Sequence, residues 1–192
     1  MRGQTAGLLA LGLALGGAGR AEAVESVHVG VLAHNVCHVD CKNGNKEDGP
    51  ALEIQANWGS PEFLSWALAP TPYAVLSTNL AQDTSFVGVG LEWSFEINDD
   101  WSFEPGFGYV IHDGDIQNPY PSGDPRAVEF SESHVLLGSR DLFRTSFGLS
   151  RDLGGPWEAQ LFYSHLSHGQ ILGKGRNQGM DQAGIRIGYR FG

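Results

Sequence analysis

Apolar side chains return at every second position along most of this chain, the period of a strand with one oily face. In 86–97 the odd positions carry Val87, Val89, Leu91, Trp93, Phe95 and Ile97, while Gly88, Gly90, Glu92, Ser94 and Glu96 fill even ones. Segment 101–112 sets Trp101, Phe103, Phe107, Tyr109 and Ile111 against Ser102, Glu104, Gly106, Gly108 and His112. Asn98-Asp99-Asp100 reads as the turn between the two. Segments 143–150, 157–164 and 185–191 alternate in the same way, and 27–33, 52–58 and a less regular 73–79 bring the expected strands to eight. Eight is the smallest common size of transmembrane barrel. The fold class read from the sequence is therefore all-β, an eight-stranded antiparallel transmembrane β-barrel.

Composition fits that reading and excludes others. Glycine is abundant (27) and charged residues are few (18%), which suits curved strands better than a helical globule. The net charge of −10 argues against nucleic acid as a partner. Residues 1–23 read as a secretory signal: Arg2, an apolar run from Leu8 to Leu15, small residues, then Ala21-Glu22-Ala23. Gly16, Gly17 and Arg20 interrupt the run well short of the ~20 apolar residues a spanning helix needs. Residues 24–192 are then one barrel domain, and membrane insertion must be by strands that pair all round.

Alternation does not say which face points outward, since a soluble lipocalin-like barrel has the same period. Two features favour an outer-membrane barrel. The terminal strand closes on Tyr189-Arg190-Phe191, like the aromatic ending of outer-membrane proteins, although Gly192 follows. With the mature N-terminus in the periplasm, Trp58, Trp93, Trp101 and Trp157 all fall near periplasmic strand ends, as an aromatic girdle. The same topology makes 98–100 and 153–156 short periplasmic turns, and 35–50, 113–134 and 169–180 long outer loops. Segment 59–72, with Phe63, Leu64, Trp66 and Leu68, reads as an amphipathic turn in the membrane interface.

The chemistry concentrates at 163–168. Counting in twos from Trp157 through Leu161 and Tyr163 reaches His165 and Ser167, which puts both on the face that meets lipid. Polar groups there are costly without partners and mark a functional site. On the last strand the same parity reaches Asp181. Paired residues of an antiparallel hairpin have a constant sum, so matching Trp157 with Tyr189 also matches His165 with Asp181. The expected series is a carboxylate, a base and a nucleophile.

His165-Leu166-Ser167, then Asn177-Gln178-Gly179-Met180-Asp181 and a closing Gly-Tyr-Arg-Phe strand, resembles the PagL-type lipid A 3-O-deacylases, outer-membrane esterases on eight-stranded barrels. The resemblance is strongest over the last 35 or so residues. It implies Ser167 as nucleophile, His165 as base and Asp181 where the family usually has Glu. It also implies lipopolysaccharide (lipid A) as substrate, a site facing the outer leaflet of the bacterial outer membrane, no cofactor, and room for a homodimer. Asn177 and the Gly169 amide are oxyanion candidates, and Lys174 and Arg176 beside the site read either as contacts for lipid phosphates or as part of a solvated loop. His168 stands where the family usually has Asn, and the interval to Asp181 is slightly long.

The alternatives are a small outer-membrane barrel without chemistry and an esterase of another acyl lipid. His34, Cys37, His38 and Cys41 match no common zinc spacing. A Cys37–Cys41 disulfide or free thiols in a surface loop is the plainer reading, and no metal site is expected. His112, Asp113 and Asp115 read as a solvated turn.

Overall fold

The computed structural model describes residues 23–36 and 46–191. The signal-peptide expectation and both cysteines therefore lie outside the described residues. The strands are β1 (Val24–His34), β2 (Pro50–Trp58), β3 (Thr71–Asn79), β4 (Phe86–Glu92), β5 (Phe95–Asn98), β6 (Trp101–His112), β7 (Asp141–Gly154), β8 (Trp157–Ser167) and β9 (Met180–Arg190). Apart from β4 and β5, neighbours in sequence pair antiparallel, β1 pairs β9, and β4 pairs β6, which closes a barrel of eight staves.

The stave expected at 86–97 is two pieces. Pro105 lies opposite the break and has no N–H to give the ladder, although its carbonyl accepts from Trp93 (2.9 Å). Beyond the break β5 pairs only β6 and is exposed along its length.

Burial settles which face is which. The oily positions point out: Val29, Val31, Leu52, Ile54, Val87, Phe107, Leu161 and Ile185 are exposed. The opposite parity buries Glu53, Gln55, Arg144, Gln160 and Arg186 inside. A soluble barrel needs the reverse, so this wall is built to face hydrocarbon. Inside, Arg144 Nη2 donates to both Glu53 oxygens (3.1 and 3.2 Å), and Arg186 Nη1 donates to Glu53 (3.0 Å) and Gln55 (3.0 Å). Arg186 Nε also donates to Gln160 (2.6 Å), and its guanidinium lies 3.6 Å from the Phe162 ring centroid. Gly90 and Gly108 make room for Tyr73, whose hydroxyl oxygen would stand 2.5 and 2.3 Å from a Cβ at those positions.

The two ends differ. All five tryptophans gather at the end with the short turns; four sit at strand ends, and Trp66 sits in the 3-10 turn Glu62–Ala67 between β2 and β3. That turn exposes Phe63, Trp66 and Leu68, consistent with an interfacial segment. At the other end the long connections fold over the mouth. Val135 and Leu137 enter it and pack with Val110, Leu142, Leu166 and Met180. Glu47 ties three of these connections together, accepting from the Val135 amide (3.0 Å) and the Thr84 amide (3.3 Å) and pairing with His34 (3.1 Å). The 113–140 connection also contains an unforeseen helix, α1 (Pro125–Ser133), with Asp124 as its N-cap.

Candidate active site

The site lies where β7, β8 and β9 meet at the loop-rich end. The β8–β9 register is Trp157 opposite Tyr189 and His165 opposite Asp181, the pairing that the constant-sum argument requires. Strand alternation then turns His165, Asp181 and Ser167 to the outer wall, while Leu166 and Gln182 are fully buried inside. His165 Nδ1 lies 2.6 Å from Asp181 Oδ1, with side chains 43% and 17% exposed. Ser167 pairs with Phe143 of β7 and stands two residues beyond His165 on the same face. Among the described residues its hydroxyl forms no hydrogen bond. Consecutive outward positions are about 6.6 Å apart along a strand, so a rotation of the two side chains can bring hydroxyl and imidazole together.

Two residues at this centre escaped the sequence reading. Tyr163 precedes His165 on the outward face and hydrogen-bonds the Asp181 side chain. The carboxylate is thus held from two sides, by a diagonal neighbour as well as its direct partner. Gly179 has φ 66, and a Cβ there would stand 3.0 Å from His165 Cε1 and 3.6 Å from Nε2. Only glycine takes that backbone conformation without strain and also leaves the ring its place. Parity alone could have flagged Tyr163; nothing local could have flagged Gly179.

The connection after Ser167 is organised by His168. Its ring is completely buried; Nδ1 accepts from the Gln170 amide (3.1 Å) and Nε2 donates to the Arg176 carbonyl (3.2 Å). The His168 carbonyl also accepts from the amides of Ile171 and Leu172, both at 3.0 Å. Gly169 and Gln170, each with φ 58, make the turn. Lys174 and Arg176 are exposed, and Asn177 is half-buried with its carboxamide oxygen unpaired among the described residues. His112, by contrast, is buried and hydrogen-bonds the Ser139 carbonyl (2.6 Å), so it belongs to the packing of the mouth. Among the described residues no cluster of His, Cys, Asp or Glu is arranged to hold a metal ion.

An oily-walled barrel with a charged interior and an aromatic end is an outer-membrane β-barrel, and this one carries a histidine–carboxylate pair beside a serine on its outer wall. A model of the family described as lipid A 3-O-deacylase (PagL) matches residues 51–190, and the chain belongs to that family. The crystal structure of the outer membrane enzyme PagL superposes with a TM-score of 0.57 at 13% identity, covering 86% of this chain and 99% of that one. Neisserial surface protein A superposes with a TM-score of 0.55 at 10% identity, covering 86% of this chain and 96% of that one. At such identities the likeness speaks for the fold. No curated protein sequence matches this chain.

Proposed function

We propose that the protein is an outer-membrane serine esterase that removes the ester-linked acyl chain at position 3 of lipid A. The observation that carries this reading is the 2.6 Å contact of His165 with Asp181 on the lipid-facing wall, with Ser167 next on the same face. Asp181 faces Nδ1, so that nitrogen holds the ring proton and Nε2 is the acceptor. Nε2 takes the Ser167 proton as Oγ attacks the ester carbonyl. The carbon–oxygen bond to the sugar then breaks, and the sugar oxygen leaves with that proton. Water attacks the acyl-serine, Nε2 takes a proton from it, and the fatty acid departs as Ser167 is restored.

The oxyanion would be met by the Gly169 amide and by the N–H of the Asn177 carboxamide, whose oxygen has no partner among the described residues to lock it. A site on the outer wall suits a substrate that diffuses within the leaflet and never leaves the bilayer. Short turns belong to the periplasmic side of such barrels, which supports a site in the outer leaflet. No step needs a cofactor. Pairing of two barrels, which the family resemblance admits, is read by cross-linking in native membranes.

The test is mass spectrometry of purified lipid A incubated with the wild type and with Ser167→Ala. The expected outcome is one free fatty acid and a correspondingly lighter lipid A from the wild type alone. Identical products from both proteins remove Ser167 from the mechanism. Release from phospholipid and not from lipid A would replace the substrate while keeping the chemistry.

A further inference from the structure

A groove of about 820 Å³ runs along the loop-rich end between α1 and the β8–β9 connection, bordered by Asn118, Tyr120, Ser131, Leu136, Lys174 and Arg176. Its size lies within the range of small-molecule sites, roughly 300–1,000 Å³. We propose that this groove holds the phosphorylated sugar head of the lipid whose ester reaches Ser167. The inference rests on the esterase reading and adds what the enzyme recognises above the membrane surface.

Three observations point to that ligand. First, the groove's two walls are tied to each other and to the site. The Leu136 amide donates to Gln178 Oε1 (2.6 Å), and the Arg176 carbonyl accepts from His168, the residue after Ser167. Gly138, also on the groove, approaches so closely that a Cβ there would stand 1.9 Å from the Arg176 carbonyl oxygen. Arg176 is therefore fixed at its backbone while its guanidinium stays exposed, a pre-placed cation.

Second, the charges left over are positive. Of the two acidic side chains on the groove, Asp124 is paired with Arg126 (2.6 Å), and Glu132 interacts with Lys46. Lys174 and Arg176 enter no ion pair among the described residues. In a chain of net charge −10, two uncommitted cations side by side invite an anion, and guanidinium and ammonium groups suit phosphate.

Third, the remaining lining suits a sugar. Amide and hydroxyl groups border the groove together with the Tyr120 ring, which is steadied edge-on by Phe130 at 6.0 Å. Hydroxyl-rich rings are bound by such a mixture of donors, acceptors and one aromatic face.

The experiment compares wild type with the double variant Lys174→Gln/Arg176→Gln on lipid A carrying both phosphates and on enzymatically dephosphorylated lipid A. The expected result is a KM raised about tenfold for the phosphorylated substrate, with kcat little changed and a much smaller rise for the dephosphorylated one. Equal shifts for both substrates, or none, overturn the proposal. A second arm titrates the water-soluble, fully deacylated glucosamine disaccharide bisphosphate into the Ser167→Ala protein in detergent. Binding that is lost in the added double variant supports the groove; binding that survives it overturns the groove. If the wild type releases no acyl chain from lipid A yet this cation-dependent binding is seen, the groove stands and the esterase reading falls.

Discussion

Inside the barrel Glu53 meets two guanidinium groups in complete exclusion from solvent, whereas on the outer wall Asp181 meets one imidazole that stays nearly half exposed. The interior carboxylate is well met: both oxygens accept from Arg144, one also accepts from Arg186, and Gln55 and Gln160 accept from the same guanidiniums. The exterior pair leaves the far imidazole nitrogen and the Ser167 hydroxyl without partners among the described residues. A charge network sealed inside the barrel holds strands together, and one with an open valence toward the bilayer can do chemistry. A carboxylate with nitrogen partners thus serves opposite ends, and the difference is set by which face of the strand it occupies.

Breaking each cluster should therefore give different signatures. Asp181→Asn, which keeps the shape but turns the imidazole to the wrong tautomer, should lower kcat by about 10³- to 10⁴-fold while the barrel keeps its heat-modified gel mobility. A variant that retains a tenth or more of the activity removes Asp181 from its role. Glu53→Leu should do the converse. It strands two buried guanidiniums, so denaturant titration in detergent should show roughly 3–5 kcal/mol less stability, with turnover per folded molecule unchanged. An unaltered unfolding midpoint would mean that the network holds nothing.

Finer changes sharpen the contrast. Tyr163→Phe withdraws one of the two donors to Asp181 and should cost about 1 kcal/mol in kcat, roughly fivefold, with KM held. A loss confined to KM would make Tyr163 a substrate contact and not a support. The smallest effect concerns Glu47, in the loops above the membrane. Burial raises its carboxyl, but hydrogen bonds from His34, Thr84 and the Val135 amide outweigh it and hold the group below its ordinary 4.5. Its stabilising contribution is present above that value and is lost as the pH falls through the depressed one. Hydrogen-exchange protection factors at the Thr84 and Val135 amides should fall only in that acid window, and protection that is unchanged through it would detach Glu47 from loop closure.

Much of the fold was legible because strand parity is a property of the local backbone. From Trp157 to Ser167 and from Asp181 to Phe191, counting in twos assigns every side chain to a face, and matching the aromatic pair Trp157 and Tyr189 sets the β8–β9 register. The same counting ran straight through Trp93 and Ser94, because the interruption there comes from Pro105 on the partner strand. Helix α1 was missed since its residues Pro125–Ser133 expose Val128 and bury no side chain. A helix with no buried stripe leaves little pattern to read.

By itself, then, the sequence determined the period, the number of staves and the shared face of His165, Ser167 and Asp181. Only the tertiary structure decided that this face is the outer one, because that depends on Arg144, Arg186 and Glu53 finding one another from three separate strands. It alone brought Gly179 against the imidazole, Tyr163 onto the carboxylate and α1 across from Arg176. Parity needs only neighbouring bonds, whereas inside and outside exist only once the strands have closed.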